Sequence, residues 1–113
     1  ATTLLSLMEQ TVVVPVIVAL PRRSIRFATV PYTIPDWLHA MNGVHVIRCE
    51  DMGPATKILA TVDFVAAITN ASHVRIITVD DDLVYHPHLV ANLLLWSRRL
   101  PGAALAHAGH RLR

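Results

Sequence analysis

The chain has 113 residues, of which 53% are apolar, with mean hydropathy +0.46 and a formal net charge of +2. That length allows at most one domain with a real core. The longest apolar stretch, Thr11–Leu20, is interrupted by Pro15 and is too short for a membrane-spanning helix. No basic segment followed by a cleavage site opens the chain, so no signal peptide is expected in it. Cys49 is the single cysteine, which excludes an intramolecular disulfide and favours a reducing compartment. The basic excess lies at Arg22, Arg23 and Arg26 and at Arg111 and Arg113. It reads as solvated loops and a tail rather than a nucleic-acid-binding stripe, because few aromatics interleave with it.

In chain order, Leu4–Gln10 reads as the end of a helix with Leu4, Leu7 and Met8 on one face. Val12–Leu20 is rich in β-branched residues, as a buried strand would be. Pro21–Pro35 is an expected loop, Pro35–Met41 a short helix and Val44–Cys49 a second strand. Gly53-Pro54 opens a helix, since proline suits the first helical turn. Ile58, Val62 and Val65 follow at helical spacing beside Leu59 and Ala66, and this helix is expected to end near Asn70. Val74–Val79 is a third expected strand. Pro87 begins a helix to about Arg99 with Leu89, Val90, Leu93, Leu94 and Trp96. Pro101-Gly102 is a turn, and Ala103–His107 is a candidate last strand. Strands alternating with helices predict an α/β layer fold with a mainly parallel sheet. The first helix lacks a preceding strand and the last strand lacks a following element, so both ends are expected to be cut.

Ligands of open α/β sheets bind beyond the carboxyl ends of the strands. Two predicted strands end in acids: Val44–Cys49 runs into Glu50-Asp51, and Val74–Val79 into Asp80-Asp81-Asp82. Along an extended segment Asp80 and Asp82 would point one way and Asp81 the other. Adjacent carboxylates repel, and a divalent cation removes that penalty. Oxygen ligands suit Mg²⁺ or Mn²⁺ completed by water and substrate phosphates. The competing structural reading is a solvated loop or helix cap. The helix opening at Gly53 offers N–H groups and a positive dipole end to a phosphate, with Lys57 one turn in. On spacing alone, a surface lysine on an ordinary helix is the better reading of Lys57. His86, His88, His107 and His110 read mostly as surface histidines. His86 stands four residues from Asp82, and a metal site from that pair is chemically possible.

The run Val46-Ile-Arg-Cys-Glu-Asp-Met-Gly-Pro-Ala-Thr-Lys57, followed by Ile76-Ile-Thr-Val-Asp-Asp-Asp-Leu-Val-Tyr-His-Pro87, resembles a group of DxD glycosyltransferases of the GT-A fold. Ser6–Thr11, Leu20–Ser24 and Tyr32–Leu38 resemble that group too, so the likeness covers most of the chain. It implies a nucleotide-sugar donor, most often a UDP-sugar, an acceptor of unknown class, and Mn²⁺ or Mg²⁺. It places Asp51, Gly53, Lys57, Asp80 and Asp81 at the donor and Asp80 and Asp82 at the metal, with Asp82 the direct ligand. The family's first strand and its downstream half, with the acceptor site, have no counterpart here, so no catalytic base is named. Cytoplasm and secretory lumen both remain open as compartments. Two other readings compete. One is a degenerate fragment that keeps the fold without activity. The other is a haloacid-dehalogenase-type phosphatase, with Asp80 as nucleophile and Asp82 as acid/base. Only 31 residues follow Asp82, too few for that family's remaining motifs.

Overall fold

The computed structural model describes residues 2–22, 34–70 and 73–106. The elements are α1 (Thr2–Met8), β1 (Val16–Pro21), α2 (Asp36–His39), β2 (Val44–Cys49), a 3-10 turn (Gly53–Ala55), α3 (Thr56–Ile68) and α4 (Leu89–Arg99). The chain divides into two compact units. One is continuous, Val14–Val79; the other joins Ala1–Val13 to Asp80–Arg113.

The continuous unit is a small α/β layer. β1 and β2 pair in parallel, Val16 opposite Val44 through Pro21 opposite Cys49. α3 packs on both strands and α2 on β2. The expected strand Val12–Leu20 thus starts four residues late, at Val16. Pro15, directly before it, has no N–H for a ladder, and Val13 is 94% exposed. Val44–Cys49 falls where it was expected. The helix expected over Pro35–Met41 is one turn, Asp36–His39, which buries Leu38.

Two expectations change here. Val74–Val79 forms no strand. Its β-branched composition fits a pleated, half-buried surface, but strand structure needs a neighbour to complete the ladder, and none among the described residues pairs with it. α3 buries Thr56, Ala60 and Thr61 rather than the predicted face, leaving Ile58, Leu59, Val62 and Ala66 exposed and Val65 half-buried. Small side chains let the helix sit close to the strands. α3 ends at Ile68, two residues short of Asn70, where Thr69 turns extended (φ −143°, ψ 145°).

The discontinuous unit contains α1 and α4. α1 spans Thr2–Met8 instead of Leu4–Gln10, and its buried residues are the polar Thr3 and Ser6. Leu5 and Met8 are exposed, Leu4 and Leu7 half-buried. The predicted apolar face is therefore not the one that packs. α4 begins at Leu89, after a turn at Pro87-His88, and buries Leu89 and Val90. Arg98 and Arg99 occupy its last turn, where cations complement the negative end of the helix dipole. Pro101-Gly102 turns as expected, with Gly102 at φ +82°. Ala103–Ala106 forms no strand. His107 and His110 lie outside the described residues, as do Arg23, Arg26, Arg111 and Arg113.

Among the described residues, few large apolar side chains are buried, so each one matters. Leu38→Ala is expected to lower unfolding stability by about 2–4 kcal/mol, whereas Val13→Ala should change it by less than about 0.5 kcal/mol. Urea denaturation of the two variants checks the difference.

Candidate functional site

The acids after β2 begin a tightly hydrogen-bonded turn. The Gly53 N–H donates to Asp51 Oδ1 at 2.9 Å. The Thr56 hydroxyl donates to the Gly53 carbonyl at 2.8 Å and accepts from the Met52 N–H at 2.8 Å. Gly53 takes φ +66°, a left-handed conformation that favours glycine, and the chain enters the 3-10 turn and then α3. Asp51 thereby supplies the anion that a helix start attracts, and one N–H that was expected to face a phosphate already has a partner. Asp51 is half-buried, while Glu50, Gly53 and Lys57 are exposed. The Lys57 carbonyl accepts from the Thr61 hydroxyl at 2.6 Å.

Cys49 ends β2, and its carbonyl accepts the Arg22 N–H at 2.9 Å. Burial pushes its thiol pKa up, and Asp51 acts in the same direction against the opposing pull of Arg48 and Arg22.

The run Asp80-Asp81-Asp82 belongs to the other unit, together with Tyr85 and α1. All three acids are exposed. The backbone bends at Asp81 and Asp82, so the alternation expected of an extended strand does not carry through the run. The run is held through its backbone. The Tyr85 hydroxyl accepts the Asp80 N–H at 2.7 Å and donates to the Asp80 carbonyl at 3.1 Å, closing a loop over Asp80–Tyr85. The Thr3 hydroxyl donates to the Asp81 carbonyl at 3.0 Å. The Ser6 hydroxyl accepts the Tyr85 N–H at 3.0 Å and donates to the Thr3 carbonyl at 2.7 Å.

Gln10 finishes this scaffold. Its Nε2 donates to the Ser6 carbonyl at 3.1 Å and to the His86 carbonyl at 2.8 Å. Its Oε1 accepts the Val90 N–H at 3.0 Å. The first N–H groups of a helix have no partner within it, so Gln10 caps α4 from outside. The Thr11 N–H donates to the Pro87 carbonyl at 2.9 Å beside it. Thr3, Ser6, Gln10 and Tyr85 were not among the predicted site residues. Their sequence signal is a polar stripe at helical spacing, which normally marks the solvent face.

His86 Nδ1 accepts the His88 N–H at 3.1 Å, and the two rings lie 5.2 Å apart. Among the described residues, no three or more His, Cys, Asp or Glu side chains gather as a ready metal cage. Asp51, Gly53 and Lys57 belong to the continuous unit and Asp80, Asp81 and Asp82 to the discontinuous one.

No protein family, no curated protein and no solved structure matches this chain.

Two outcomes follow from this geometry. Gln10→Leu leaves the Val90 N–H unpaired and takes one of two donors from the His86 carbonyl, which keeps the Leu89 N–H, and should cost about 1–3 kcal/mol. Gln10→Glu keeps the acceptor for Val90 but sets a carboxylate oxygen against the Ser6 and His86 carbonyls. Its cost should shrink as acid protonates the side chain and restores a donor, while that of Gln10→Leu should not, so thermal denaturation of the pair across pH separates the clamp from side-chain volume. For Cys49, a folded-state pKa above the unfolded one favours the protonated thiol. That contribution to stability is complete below the unfolded pKa and is lost as pH rises through the folded one. Iodoacetamide at mildly alkaline pH should alkylate the native chain more slowly than the urea-unfolded chain, and a Cys49→Ser chain should lack this component of alkaline destabilisation.

Proposed function

We propose that the chain is the donor- and metal-binding part of a GT-A glycosyltransferase, which transfers a sugar from a nucleotide-sugar, most often a UDP-sugar, to an acceptor. The observation that carries the reading is the order of parts. A parallel strand runs into Glu50-Asp51, Gly53-Pro54 and Lys57 stand at the opening of the next helix, and the run Asp80–Asp82 follows before Tyr85 and Pro87. The pinning of that run through Thr3, Ser6 and Tyr85 adds support, because a site works best when its ligands are held before binding. The lack of a ladder at Val74–Val79 bears equally on the transferase and phosphatase readings, since both place the acids after a strand.

The donor set fits a hard divalent cation. Asp80 and Asp82 are exposed oxygen donors, and Mg²⁺ or Mn²⁺ commonly takes one or two carboxylates and completes its shell with water and phosphate oxygens. A dedicated all-protein cage is not required. In this reading Asp82 is the direct ligand and Asp80 lies in the shell or at the ribose. Asp81, Gly53 and Lys57 serve the donor, and Asp51 lies near the base or ribose. When bound, the cation neutralises charge on the leaving diphosphate. The protein's own part is to hold the donor and its acids in place.

Calorimetric titration of UDP into the folded chain tests this. Binding is expected with Mn²⁺ present, to be abolished by EDTA and to weaken at least about tenfold in Asp82→Asn, the loss of one charge-assisted contact. A folded chain that binds no UDP, or binds it equally without Mn²⁺, would overturn the donor-site assignment and leave the competing reading, an inert scaffold.

A further inference from the structure

After Asp82 the sequence carries no Asp or Glu through residue 113, while it carries Arg98, Arg99, Arg111 and Arg113. Within this acid-free stretch, α4 has an exposed face that is apolar as well as basic. With about 3.6 residues per turn, Asn92, Leu95, Trp96 and Arg99 share one side of the helix. All four are exposed, and Leu100 just past the helix is exposed as well. Leu89 and Val90 are buried, and Leu93 and Leu94 are half-buried. The Arg99 guanidinium lies 5.3 Å from the Trp96 ring centroid, so a cation and an aromatic plane are held side by side.

Exposed apolar side chains are informative where they are contiguous, and Leu95, Trp96 and Leu100 follow one another at the end of α4 beside two arginines. The charged side chains of α4 are both cations, Arg98 and Arg99. Trp settles at the boundary between lipid and water, with its ring in the headgroup layer. Arginine beside it keeps its head at the phosphates while its stem lies along the apolar surface. A single helix surface is a ridge, and a fluid bilayer accepts a ridge without a preformed groove. No helix among the described residues is long and apolar enough to cross a membrane, so the fitting mode is contact with its surface.

We propose that the exposed face of α4 formed by Leu95, Trp96 and Arg99, with Arg98 and Leu100 beside it, docks the protein onto an anionic lipid surface. This is independent of the transferase reading, because lipid binding and UDP binding are read in separate assays.

The test is co-sedimentation of the full chain with phosphatidylcholine vesicles, with and without phosphatidylserine. Binding is expected only to the anionic vesicles and should fall with added salt. An Arg98→Ala/Arg99→Ala chain should partition about 30-fold more weakly, the product of the contributions of two surface cations. Trp96→Ala should weaken binding and Trp96→Phe should largely retain it, with circular dichroism confirming that each variant is folded. In a Trp37→Phe background, the Trp96 emission should shift to the blue and be quenched by brominated lipid. Equal binding to neutral vesicles, no binding by the folded parent, or wild-type binding by both variants overturns the proposal. So does displacement by polyglutamate without any Trp96 shift, which would mark the partner as an acidic polypeptide.

Discussion

The carboxamide of Gln10 ties together three stretches of the discontinuous unit. It reaches back to α1 at Ser6, across to the turn at His86 and to the first turn of α4 at Val90. At 7% exposed, it works where water cannot easily substitute for it, so each bond counts against the cost of leaving a buried group unpaired. Only an amide offers donors and an acceptor on one short side chain. Around it, Ser6 and Thr3 extend the same logic to Tyr85 and Asp81. The acidic run thus gains its conformation from a polar helix face rather than from a sheet.

The continuous unit follows another rule. Parallel pairing aligns β1 and β2 so that both end at the same edge, where Arg22 and Glu50 leave the sheet. Asp51 and Thr56 then turn the chain into α3 through short-range hydrogen bonds. The small residues Thr56, Ala60 and Thr61 form its buried positions. Among its described residues the core is thin, with Leu38 and Ala60 as the buried apolar side chains.

Local signals were legible where local chemistry decides. The helix start after Gly53-Pro54, the second strand and the turn at Pro101-Gly102 follow from φ preferences and β-branching, which act over a few residues. The parallel α/β character was legible from alternation. The third strand was not, because Val74–Val79 has strand composition and its pairing depends on a neighbour that composition cannot supply. The faces of α1 and α3 were misread for one shared reason. Apolar periodicity assumes that a helix buries its greasiest side, but these helices bury small or hydrogen-bonding residues whose partners lie elsewhere in the chain. In the candidate site, the acids and Lys57 stood out by type and spacing. Thr3, Ser6 and Gln10 did not, because their role exists only once residues 81–90 lie against them.

The partners of α1 and of Gln10 just after it lie 76 to 80 positions further along the chain. Closing so long a loop is entropically costly, and contacts of that separation form late in folding. During synthesis α1 emerges before the continuous unit and waits for it and the acidic run to follow. Its eventual contact face is Thr3, Ser6 and Gln10, side chains that water satisfies in the meantime. An oily face would sit exposed through that interval and invite association with other nascent chains. A polar face makes the delay harmless, and the same hydrogen bonds then pass from water to the protein when residues 81–90 arrive.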